Sequence, residues 1–133
     1  MAGEIMKKIG IKWKAEHMPS QVGKTVIVTG ANTGIGYHMV KALASKGANV
    51  IMACRNLGKA NTARTEILQA VPEASIAVEE LDLADLANIE SFGQRITKSH
   101  GHIDTLINNA GVMIPPQSTT VDGFELQIGT NHF

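Results

Sequence analysis

Residues 29–36 read Thr-Gly-Ala-Asn-Thr-Gly-Ile-Gly, and they separate two segments of opposite character. The run before them, Thr25-Val26-Ile27-Val28-Thr29, is β-branched and apolar, as a parallel strand buried on both faces requires. The run after them has helical spacing. A strand, a tight glycine turn and a helix together present bare backbone N–H groups and a helix N-terminus to a diphosphate. Each glycine has an expected task. Gly30 permits the sharp exit from the strand, Gly34 removes a side chain where a pyrophosphate must come close, and Gly36 lets the new helix pack on the sheet. The spacing is G-x-x-x-G-x-G rather than G-x-G-x-x-G. No Lys-Ser or Lys-Thr follows the last glycine, so it is not a P-loop.

The rest of the chain alternates strand and helix patterns. Ile35, Met39 and Leu43 mark one face of a helix that stops near Lys46-Gly47. Residues 49–53 read as a second strand. Asn56 can cap a helix with Ala60, Ala63 and Ile67 on one side, closed by Val71-Pro72. Residues 75–78 form a third strand, and Leu86, Ile89, Phe92 and Ile96 give a third helix. Residues 103–107 make a fourth strand, followed by a loop through Pro115-Pro116 and a last helix beginning at Asp122. Repeated βα units predict an α/β domain, a doubly wound parallel sheet with helices on both faces.

Composition narrows the function classes. The 133 residues can bury a core, and a hydrophobic content of 44% excludes a disordered chain. Lys+Arg and Asp+Glu both number 12, which argues against a broad nucleic-acid footprint. The single Cys54 cannot form an intrachain disulfide and suits a reducing compartment, so the expected location is cytoplasmic. No apolar run is long enough to span a bilayer. Residues 1–20 read as an N-terminal arm. Within it Ile5, Ile9 and Trp13 share a helical face ringed by Lys7, Lys8, Lys12 and Lys14. That face could be a membrane-surface anchor, but a solvated arm packed loosely on the domain is the preferred reading.

With Thr29 to Gly36 stand Leu81-Asp82-Leu83 after the third strand and Asn108-Asn109-Ala110-Gly111 after the fourth. In this order and spacing the chain resembles the N-terminal half of the short-chain dehydrogenase/reductase family. Ala53-Cys54-Arg55-Asn56, Gly123-Phe124-Glu125-Leu126-Gln127 and Gly129-Thr130-Asn131-His132 resemble its retinol-dehydrogenase-like branch. The resemblance implies a partial Rossmann-like sheet of strand order 3-2-1-4 over residues 21–133, incomplete as a domain, and binding of a nicotinamide dinucleotide. Gly30, Asn32, Thr33, Gly34, Ile35 and Gly36 then hold the diphosphate. Asp82 and Leu83 lie beside the adenine, and Asn109 with Ala110 near the ribose. Asp82 also has a simpler reading as a helix-start carboxylate, and Asn109 as a loop asparagine bonding its own backbone.

Arg55 bears on cofactor choice. It follows the second strand, where the adenosine ribose is expected, and no Asp or Glu occurs from Val50 to Leu57. An acid there would bond a free 2′-hydroxyl, whereas arginine suits a 2′-phosphate. NADP(H) is therefore expected over NAD(H). The resemblance further implies hydride transfer to or from an alcohol or carbonyl substrate. A tyrosine, a lysine, a serine and an asparagine would serve it, and Asn131 matches the asparagine. The serine and the Tyr-x-x-x-Lys helix would follow Asn131, so the chain alone is expected to be inactive. Tyr37-His38-Met39-Val40-Lys41 has that spacing but lies at the diphosphate end, with Tyr37 and Lys41 expected to face away from the sheet. No metal site is expected: His100-Gly101-His102 is a poor ligand set. The alternative to an oxidoreductase portion is a non-catalytic nucleotide-binding or interaction module. In either case the fourth strand, with Ile103, Leu106 and Ile107, is an apolar edge expected to promote self-association.

Overall fold

The first strand, β1 (Thr25–Thr29), is buried at all five positions. It lies at the centre of a parallel sheet, because each of its residues is β-branched and tolerates packing on both faces. β1 pairs with β2 (Asn49–Cys54) from Thr25↔Asn49 to Thr29↔Ala53. β2 carries β3 (Ser75–Glu80) on its other side. β4 (Thr105–Ile107) pairs with the opposite side of β1, giving the order β3-β2-β1-β4. This computed structural model describes residues 14–113 and 115–132. The Ile5/Ile9/Trp13 face of the arm lies outside the described residues.

Strand alternation divides the core in two. Val26, Val28, Val50, Met52 and Cys54 point to one face, where α1 (Gly34–Ser45) and α2 (Leu57–Ala70) cover them through Val40, Leu43, Ala60, Ala63 and Ile67. Ile27, Ile51 and Ala53 point to the other, where α3 (Leu86–Ser99) contributes Phe92 and Ile96. Burying a side chain such as Phe92 contributes about 1.5–3 kcal/mol. The alanines on α2 keep its axis close to the sheet. A short last helix, α4 (Leu126–Asn131), stands beyond β4. Among the described residues no helix is long and apolar enough to cross a membrane.

Five details depart from the sequence expectation. The buried face of α1 is Gly36, Val40, Leu43 and Ala44, whereas Ile35 is 75% exposed. Tyr37 does not face solvent: it is half-buried against the first core cluster, while Lys41 is exposed. β3 runs on to Glu80, and β4 is shorter than residues 103–107. At its start the Asp104 carboxylate accepts the Thr25 N–H at 2.7 Å, taking a donor that a longer strand would have met with a carbonyl. That N–H, offset in part by desolvation, holds the Asp104 carboxyl below the usual carboxylate range. Finally, Asp122 does not begin a helix. Its carboxylate accepts the Leu86 N–H at 2.9 Å and so supports the start of α3. Glu125 caps α4 instead, accepting the N–H groups of Gln127 and Ile128 at 3.0 and 2.9 Å, which lower its carboxyl pKa.

Candidate functional site

The chain leaves β1 toward β2 on one side, while β4 lies on the other. That switch in direction opens a crevice beyond the carboxyl ends of the strands, where α/β sheets bind ligands. Here the crevice is a cleft of about 480 Å³. Its floor is the glycine turn. Gly30 has φ +61°, and a Cβ there would come within 2.8 Å of the Ala110 Cα, so only glycine lets the β1 and β4 exits meet. Gly34 has φ +58° and open space beside it, as a close-approaching ligand would need. Gly36 has a more specific task than helix packing. A Cβ there would stand 2.5 Å from both the Gly30 carbonyl oxygen and the Asn109 Nδ2.

Thr29, quoted in the motif but given no role from sequence, joins the two exits. Its buried hydroxyl accepts the N–H groups of Asn109 and Ala110 at 3.0 Å each and donates to the Ile107 carbonyl at 3.4 Å. The Asn109 amide donates to the carbonyls of Thr29 and Gly30 at 3.1 and 3.2 Å. The Asn109 side chain is therefore bonded to a distant segment rather than to its own turn. Its amide orders the loop, leaving Asn109, Ala110 and Gly111 along the cleft.

Helix ends distribute charge around this floor. The side chains of Asn56, Asp85 and Glu125 cap α2, α3 and α4. Among the described residues the Thr33 side chain makes no such bond at the start of α1, and no acid occupies that first turn. Its N–H groups and the positive end of the helix dipole are left for an anion. Asn32 and Thr33 line the cleft beside it, whereas Gly34, Ile35 and Gly36 do not. Cys54 backs the loop from within the core. Burial pushes its thiol pKa up, opposed by the N–H groups of Ala31 and Asn32, so it is inert packing.

The outer wall comes from the ends of β2 and β3. Arg55 is exposed and lines the cleft together with Asn56 and Lys59. Lys59 was missed from sequence, although placing the cap at Asn56 puts it in the first turn of α2, on the cleft side. Asp82 and Leu83, just after β3, line the same cleft. Asp82 accepts the Ala84 N–H at 2.9 Å and donates its own N–H to Asn88 at 2.8 Å, locking the turn. The cap of α3 is Asp85, not Asp82. Around the cleft stand the uncapped helix start after β1, the cationic Arg55 and Lys59 after β2, and Asp82 and Leu83 after β3. This arrangement fits an extended dinucleotide.

Asn131 lies at the far side. Its side chain accepts the Val112 N–H at 2.8 Å and donates to the Val112 carbonyl at 2.7 Å, tying α4 to the loop after β4. Tyr37 is not among the cleft-lining residues. Burial, and then the neighbouring Glu66 carboxylate, raise its hydroxyl pKa, the opposite of what a Tyr-x-x-x-Lys pair achieves. His102 stands 3.3 Å from Asp104 at the other end of the sheet. Among the described residues no three His, Cys, Asp or Glu side chains gather around a common point.

Comparison with known proteins matches the same frame. The family model described as short chain dehydrogenase matches residues 24–132. Retinol dehydrogenase 11 from Mus musculus is 48% identical over 110 residues, covering 83% of this chain and 35% of that protein. The chain thus spans about a third of the length of such curated relatives. An uncharacterised protein from Mycobacterium paratuberculosis superposes with a TM-score of 0.77 at 43% identity, over 90% of this chain and 41% of that one. A metagenomic short-chain oxidoreductase in complex with NADP gives a TM-score of 0.64 at 34% identity, over 69% of this chain and 41% of that one. Sheet order, glycine turn, Asn109 loop and these likenesses agree: the chain belongs to the short-chain dehydrogenase family.

Proposed function

We propose that this chain forms the cofactor-binding part of an NADP-dependent oxidoreductase acting on an alcohol or carbonyl group. The observation that carries the cofactor choice is that Arg55 and Lys59 both line the cleft, with no acid from Val50 to Leu57 to bond a free 2′-hydroxyl. The metagenomic relative whose structure contains NADP supports it. When bound, the nicotinamide would supply or accept the hydride. In this reading the uncapped start of α1 holds the diphosphate, while Asp82 and Leu83 bracket the adenine. The Asn109 loop lies along the ribose. The lipophilic alcohols and aldehydes suggested by the name of retinol dehydrogenase 11 are the first substrates to try.

The test is a titration of NADP(H) and NAD(H) against the chain and against Arg55→Ala. A charge-assisted contact to phosphate contributes ~1.5–3 kcal/mol, and the exposure of Arg55 puts its share at the lower end. The expected preference for NADP(H) is about tenfold, and Arg55→Ala should remove most of it. Equal affinities in the parent chain would rule the preference out.

The same reading extends to assembly. β3 protects its sheet edge with Glu79 and Glu80. β4 has no such charge, and Leu106 is 54% exposed, with Phe124 and Ile128 also exposed. The isolated chain should therefore self-associate through β4. Light scattering on purified chain would show this as a mass rising with concentration. A monomer at every concentration would disprove it.

A further inference from the structure

The cleft lining includes a polar group that the proposed function does not use. Thr130 lines it from α4. Its hydroxyl oxygen is buried and has no hydrogen-bond partner among the described residues. Such atoms are rare in folded proteins and call for an explanation. Threonines inside helices ordinarily bond the carbonyl one turn back. Thr62, Thr65 and Thr97 do so here, at 3.1, 2.9 and 2.8 Å. Thr130 does not bond its counterpart, the Leu126 carbonyl.

The helix around it has little freedom to relieve this. Gly129 lies against Thr120 and Phe124, so closely that a Cβ would stand 2.5 Å from the Thr120 Cγ2. Asn131 is bonded twice to Val112. On the other side, the Val121 N–H donates to the Ala84 carbonyl at 3.0 Å, fixing the turn before α4 to the loop that carries Asp82 and Leu83. Thr130 is thus held between the adenine wall and the Asn109 loop with one bonding group unspent. The residue itself is half-buried. A turn about its Cα–Cβ bond exchanges methyl and hydroxyl, and threonine is the residue whose helical side chain divides between two such rotamers.

We propose that the Thr130 hydroxyl is a specificity contact for the adenosine part of the bound dinucleotide, turning into the cleft when that part enters. This rests on the dinucleotide reading above. The test uses the 133-residue chain, Thr130→Val, which keeps the shape without the hydroxyl, and Thr130→Ser, which keeps the hydroxyl. The probe is adenosine 2′,5′-bisphosphate, which lacks the nicotinamide. Thr130→Val should weaken its binding about fivefold, and Thr130→Ser should stay within about twofold of the parent. The ligand-free Thr130→Val chain should melt no lower than the parent, because a methyl replaces an unpaired buried hydroxyl. Equal affinity for parent and Thr130→Val would overturn the proposal. So would a clearly lower melting temperature for that variant, since the hydroxyl would then be satisfied within the protein. Failure of the parent to bind the bisphosphate would overturn the dinucleotide reading itself.

Discussion

Supplied with NADPH and a panel of aldehydes and ketones, the 133-residue chain is expected to consume cofactor no faster than the uncatalysed background. Carbonyl reduction leaves an alkoxide that needs a proton at the moment of hydride transfer. A positioned general acid supplies about 10²–10⁴-fold of the rate. Asn131 cannot fill that role: an amide has no titratable proton, and both its oxygen and its nitrogen are engaged with Val112. The chain has a single tyrosine, Tyr37. It sits in the first turn of α1 outside the cleft lining, with its hydroxyl pKa raised by burial and by Glu66 rather than lowered by an ammonium. The assay is NADPH absorbance against time, with Tyr37→Phe in parallel. Turnover above background that disappears in Tyr37→Phe would reverse the assignment of Tyr37. Cofactor binding without turnover is the expected pair of results.

What sequence could and could not disclose follows from which forces are local. The four strands and the caps at Asn56 and Val71 were legible because they depend on β-branching, alternation and short-range hydrogen bonds. Parallel order 3-2-1-4 followed from the βα alternation together with the family resemblance. The buried face of α1 was misjudged because it begins at Gly36, which has no side chain to register in an apolar pattern. Ile35, one position away, took its place in the count although it is exposed. Asp122 reads as the start of the last helix, but its carboxylate instead accepts the N–H of Leu86, 36 residues back in the chain. No local pattern announces such a contact. Within the site, the glycines, Arg55, Asp82 and Asn109 stood out because their residue types match a phosphate, a ribose or a tight turn. Thr29 and Lys59 did not. Their importance comes from where the fold brings them, Thr29 to the start of the Asn109 loop and Lys59 to the rim beside Arg55.

Gly36→Ala is expected to destabilise the chain by ~2–4 kcal/mol, while the formally identical Gly93→Ala is expected to stabilise it by ~0.5–1 kcal/mol. Both glycines are helical, so both changes gain the same kind of backbone preference. They differ in what the new methyl meets. At Gly93, in α3, nothing lies within 4 Å. At Gly36 the methyl would stand 2.5 Å from the Gly30 carbonyl oxygen and the Asn109 Nδ2, and 3.0 Å from the Ala31 Cα. Two of those three neighbours are backbone. The third is an amide already bonded to the carbonyls of Thr29 and Gly30. Overpacking costs about 1–3 kcal/mol, and pushing Asn109 aside leaves partly buried carbonyls unpaired at a similar cost. Together these exceed the ~0.5–1 kcal/mol that alanine returns in a helix. Denaturant melts of the three proteins decide the matter: a Gly36→Ala midpoint equal to the parent's would mean the turn and the Asn109 loop can part without cost. Because the same contact sets the floor of the cleft, the loss should also appear in cofactor affinity. Gly93→Ala, on a helix that contributes no cleft residue beyond its supporting loop, should bind NADP(H) as the parent does.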